Sequence, residues 1–218
     1  MRPATIALAL DTALDITAAR RLHDYGELDD ANVQRALEQS YIQRVGRIDW
    51  PAHLRVIRHV GVVVEQGDAV RVAAIAADGN EAFALSRLFA QWPDRPGAVV
   101  AWQADTVALI AARAFLHDIG MPAGLRDGPR IALADDLDTT STASAAPAHD
   151  TESELARLLD GRDMDTGDDP TRRVQAMAIN RYRWWLRWQH CQARIDDSER
   201  VRRETALQAA ETAGDVSA

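Results

Sequence analysis

The chain opens on an apolar run, Thr5-Ile-Ala-Leu-Ala-Leu10, that reads as a β-strand and ends in Asp11-Thr12-Ala13. A strand that delivers an acid at its C-terminal end marks a place where charge can gather beside a sheet. Two divalent cations held about 3.5–4 Å apart need several carboxylates on one spot. The pattern Asp-x-Glu meets that need, because residues i and i+2 of a strand share a face. Here Ala13 stands in place of the second acid, so the chemistry turns on which acids occur elsewhere.

Helical and β-rich runs alternate after this strand. Residues 18–22 and Asp30–Val45 read as helices, the second opening with Asp29-Asp30 as N-cap candidates. Residues 54–65 and Ala69–Ala76 are β-rich and are joined by Gln66-Gly67-Asp68, a hairpin signal. Phe83, Leu85, Leu88 and Phe89 fall at helical spacing within residues 81–91. A short strand at 97–102, a helix to His117 and a further strand at 131–133 complete this part. Residues 138–150 are rich in Thr, Ser, Ala and Pro and read as a mobile loop. A short helix at 152–159, an acidic turn-rich segment at 161–169 and a long helix at 171–203 follow. This order predicts an α/β layered sheet containing a hairpin.

A chain of 218 residues, 47% of them hydrophobic, can bury one sizeable core. The expectation is a single domain over residues 1–203 and a polar, frayed tail over 204–218. The net charge of −8 argues against a surface given over to polyanions, since Lys and Arg supply nonspecific nucleic-acid affinity. The single Cys191 excludes an intramolecular disulfide and any cysteine-based zinc cluster. His53 and His59 flank the second strand with no third ligand at metal spacing. No apolar stretch reaches membrane-spanning length and the start lacks a signal-peptide pattern, so the expectation is a cytoplasmic protein without a membrane partner.

The long helix interleaves Arg172, Arg173, Arg181, Arg183 and Arg187 with Trp184, Trp185 and Trp188. Arginine with tryptophan suits single-stranded nucleic acid, because bases stack on aromatic faces while guanidinium groups hold phosphates. Arg173, Arg181, Arg183 and Trp184 are the candidates for such contacts. A helix that covers a sheet also turns aromatic residues into the core, which is the competing reading. An exposed part of the same helix could equally anchor a protein partner.

Several segments occur in a telling order. They are Asp11; Arg20-Arg21-Leu22; Leu28-Asp29-Asp30; Trp50-Pro51-Ala52-His53-Leu54; and Val99-Val100-Ala101-Trp102. Arg113-Ala114-Phe115-Leu116-His117 comes next, then Ser153-Glu154-Leu155-Ala156-Arg157-Leu158-Leu159. Asn180-Arg-Tyr182 and Leu186-Arg187-Trp188 close the series. From Thr5 to Trp188 the chain resembles the 3′–5′ exonuclease family related to the proofreading domain of family B DNA polymerases, part of the DEDD superfamily. The resemblance implies a ribonuclease-H-like mixed sheet with a hairpin, flanked by helices.

It also implies a site of four acids holding two metals, and here the chain departs. Asp11 matches the first acid and Ala13 replaces the second. Thr106 falls nearest the third, with Asp105 beside it. Arg173 stands where the family has a water-orienting tyrosine, and Met177 where it has the fourth acid. Magnesium ions need hard oxygen donors, which Ala and Met lack. The expectation is therefore a pseudoenzyme that needs no cofactor and binds single-stranded DNA or RNA. Two alternatives remain. One is a residual nuclease using Asp11 and Asp105 with Mg²⁺ or Mn²⁺. The other is a non-enzymatic module that docks a protein through residues 171–203.

Overall fold

The computed structural model describes residues 4–46, 48, 50–93, 97–137, 148–159 and 168–214. Its centre is strand β1 (Thr5–Leu14), which is buried from Thr5 to Ala9. β2 (Arg55–Gln66) runs antiparallel to it and turns through Gly67-Asp68 into β3 (Ala69–Ala76). Gly67 takes φ +65°, the left-handed value a two-residue hairpin demands. β4 (Ala98–Ala101) lies parallel to β1 on its other side, and β5 (Arg130–Ala132) lies parallel to β4. The result is a five-stranded mixed sheet in the order β3-β2-β1-β4-β5.

Helices cover both faces. α1 (Ile16–His23) and α2 (Asp30–Val45) follow β1 and close a small core of Ala19, Val33, Leu37, Tyr41 and Leu54 against its end. Asp15 caps α1 and Asp29 caps α2, each accepting a backbone N–H in the first turn. α3 (Glu81–Ala90) and α4 (Asp105–Leu116) bury Leu85, Leu88, Leu109 and Ile110 against Ile6, Leu8, Val60 and Val62 on one face. Short helices α5 (Ala123–Asp127) and α6 (Leu133–Leu137) flank β5. α7 (Ala148–Leu158), α8 (Pro170–Cys191) and α9 (Asp197–Gly214) cover the other face, where Val174, Ile179, Tyr182 and Leu207 meet Ala7, Ala9 and Val63. The fold is thus three layers, helix–sheet–helix. No helix among the described residues is long and apolar enough to cross a membrane.

Several expectations shift. The long helix at 171–203 is two helices, α8 and α9, broken around Ala193, which takes φ +53°. The frayed tail expected from 204 is instead helical as far as Gly214, and Leu207 on it is fully buried. β1 runs on past Leu10 because Thr12, Ala13 and Leu14 pair with Ile57, Val56 and Arg55. Of the loop expected at 138–150, residues 148–150 belong to α7 and 138–147 lie outside the described residues. Most of the acidic segment, 161–167, lies outside them too.

Candidate functional site

The first candidate site is the end of β1. Asp11 pairs with His59 and Thr12 with Ile57, so Arg58 is an extra residue on β2. β1 keeps its alternation, which leaves Asp11 and Ala13 on the same face as Ala7 and Ala9, the face that α8 covers. α8 comes very close here. A Cβ on Gly61 would lie 1.9 Å from the Val174 carbonyl oxygen, so only glycine admits the helix. Arg173 and Met177 lie on α8 on either side of Val174.

These residues hold little that could bind a cation. Asp11 accepts from His59, Oδ2 to Nδ1, at 2.8 Å. Met177 is half-buried and packs with the apolar cluster beneath α8. Arg173 is exposed, one turn into α8. Thr106 is the second residue of α4, its N–H directed at the Gln103 carbonyl. Asp105 opens α4, which packs on the opposite face, and accepts from Arg55 Nη1 at 2.9 Å. Asp11 and Asp105 are therefore each held by a different side chain of β2. Among the described residues no group of three or more His, Cys, Asp or Glu is arranged to hold a metal ion.

The arginine–tryptophan series is divided between the interior and the surface. Arg181 is 5% exposed and clamps Glu152 with two bonds of 2.6 and 2.8 Å. Its Nη1 donates to the Leu8 carbonyl at 2.5 Å, tying α8 to the middle of β1. Trp184 is 3% exposed and meets Trp102 edge-on, centroids 5.7 Å apart. Arg183 donates to Glu211 of α9 at 2.9 Å. Trp185 is buried beneath the Arg203 guanidinium. Arg203 in turn reaches Glu65 and Glu199, and Arg202 reaches Glu199 and Asp68. Arg172, Arg173, Arg187 and Arg194 are exposed. Trp184 presents no open face on which a base can stack.

A buried ionic network was not anticipated from the residues. Arg113, 4% exposed, binds Glu81 through Nε and Nη2 and reaches Asp15 at 3.0 Å. His117 donates to the same Glu81 at 2.7 Å, and so does the Ile57 N–H at 2.6 Å. Burial works against the charge of Arg113, but its hydrogen bonds to Glu81 and Asp15, with the charge of both acids, more than offset it and raise its pKa. The network joins α1, α3, α4 and β2. Its signal is in the chain: Arg113 and His117 stand four apart, on one face of a helix.

A second electrostatic cluster fastens α9. Burial pushes the Glu65 carboxyl above its ordinary range, and Arg203 only partly opposes this. Tyr182, whose hydroxyl faces Glu65, is raised by burial and by that neighbouring acid.

No family model matches this chain, and neither does any curated protein or solved structure.

Proposed function

We propose that this chain is a non-catalytic protein on a 3′–5′ exonuclease-like, ribonuclease-H-like scaffold, acting by association and not by phosphodiester cleavage. The mixed sheet with its leading hairpin, and the order of the resembling segments along it, support the scaffold. One observation carries the loss of catalysis. The acid that matches the family pattern, Asp11, is bonded to His59, and Ala13 and Met177, which stand where the family has two further acids, offer no side-chain oxygen. An in-line displacement with two metals lacks its ligands there.

The enclosure of Arg181 and Trp184 favours the non-enzymatic interaction module over a binder of single strands. Two assays test this reading. Labelled single-stranded oligonucleotides incubated with Mn²⁺ should be cleaved no faster by the wild type than by Asp11→Asn. Mobility-shift titration with the same oligonucleotides at moderate salt should give no retarded band. Cleavage that Asp11→Asn abolishes would overturn the loss of catalysis, and a saturable shift would restore the nucleic-acid reading.

A further inference from the structure

At the other edge of the sheet, a cavity of about 360 Å³ opens between the start of α4, the strands β4 and β5, and α6. Its volume falls within the usual range for small-molecule pockets, about 300–1,000 Å³. Val99, Ala101 and Val107 form a buried apolar floor, and Ala104 and Ala132 are the apolar residues nearer the opening. Gln103, Arg130 and Asp135 supply polar groups around it. None of these three side chains has a hydrogen bond or ion pair among the described residues. It lies toward the carboxyl ends of two parallel strands, where open α/β sheets commonly bind ligands.

Four buried or half-buried arginines pair with carboxylates. Arg181 has Glu152, Arg113 has Glu81, Arg55 has Asp105 and Arg183 has Glu211. Arg130 and Asp135 line one cavity and are not bonded to each other. A ligand that uses both must carry an anion for the guanidinium and a cation for the carboxylate. It must also bring an apolar body, with the Gln103 amide left to bond whichever polar end lies nearer.

We infer that this cavity binds a small zwitterion of the α-amino-acid type. The carboxylate pairs with Arg130, the ammonium with Asp135, and an aliphatic side chain rests on Ala104 and Ala132. Guanidinium and carboxylate match as a planar fork, which favours a carboxylate over a spherical anion. Both charged residues are exposed at the rim, so the expected affinity is weak. The site stands whether or not the end of β1 ever cuts nucleic acid.

The test uses the full chain and L-leucine as probe, followed by calorimetric titration. 4-Methylpentanoate, which lacks the ammonium, and 3-methylbutylamine, which lacks the carboxylate, serve as paired controls. L-Leucine should bind saturably. Each analogue, and each of Arg130→Gln and Asp135→Asn, should weaken binding by about fivefold, the upper end for a solvent-exposed ion pair. The exposure of both side chains leaves the fold intact in these variants, which circular dichroism verifies. Absence of saturable binding by the wild type would overturn the inference. So would equal binding of all three probes, or equal binding by wild type and variants.

Discussion

The end of β1 and the cavity beside β5 both collect charged residues, yet they do opposite things with them. At β1, Asp11 is bonded to His59, Asp105 on the other face to Arg55, and beneath α8 Arg181 to Glu152. At β5, Arg130 and Asp135 line a cavity and bond to nothing described. Desolvating a charge costs several kcal/mol unless a partner compensates, so an interior charge must be paired to exist. A rim charge is under no such compulsion. A pair that is buried on both sides therefore marks residues that hold the fold, and an unpaired charge at a cavity rim is open to a ligand.

Breaking a pair under α8 should have the largest effect. Arg181→Ala strands Glu152, which is 2% exposed, and removes the bond to the Leu8 carbonyl. The expected loss is about 3–5 kcal/mol, typical of an orphaned buried charge, read from urea unfolding midpoints. The double variant Arg181→Met with Glu152→Leu sharpens the point, because an apolar replacement of both partners should recover most of that loss. If the single and double variants are equally unstable, the pair is not what makes Arg181 matter.

Glu65 gives a smaller effect, with a definite sign. Its folded pKa lies above the ordinary value of 4.5 because burial outweighs the pull of Arg203. The folded chain keeps this proton at a pH where the unfolded chain has released it, so stability falls as pH rises through that window. Glu65→Gln has no proton to release, and its stability should decline less over about pH 4 to 7. Urea midpoints across that range check it. A wild-type slope no steeper than the variant's would reverse the assignment.

Asp11 should matter less still. Its carboxylate is a third exposed and makes the His59 bond at the sheet's margin. Asp11→Ala should lower stability by about 0.5–1.5 kcal/mol, the net worth of one hydrogen bond. Thermal unfolding measures it. A loss as large as that of Arg181→Ala would place Asp11 among the residues that hold the fold.

Local signals carried the elements well and the long-range partners poorly. Asp30–Val45 and Ala69–Ala76 have the bounds their caps and turns predict, since Asp29 and Gly67 act within a few residues. The break between α8 and α9 was less visible. No Pro or Gly marks it, and the sign is Asp196, whose carboxylate accepts the Glu199 N–H as a cap. The helix after it is polar in composition and is held by Glu199 with Arg202 and Arg203, and by Leu207 beneath. Arg181 and Trp184 read as a nucleic-acid surface because composition gives no direction. Helical spacing places Arg181 on the side of Trp184 and Trp185, and that side is the core. That Glu152 receives Arg181 follows only from the packing of α7 against α8, which no local pattern encodes.

The smallest expected effect is the sharpest for the comparison. Arg130 and Asp135 are exposed and make no bond among the described residues, so neither has a partner to strand. Arg130→Gln keeps a long polar side chain, removes one charge, and leaves Val99, Ile131 and the strand pairing untouched. Its unfolding free energy should lie within about 0.5 kcal/mol of wild type, as for surface substitutions away from packed features. Urea unfolding with L-leucine absent measures the fold alone. With L-leucine present in excess, only the wild type should gain appreciable stability, because a ligand that binds the folded form raises it by mass action. A large loss without ligand would make Arg130 a structural residue like Arg181. A small loss joined to the missing gain is what an arginine kept free for a ligand produces.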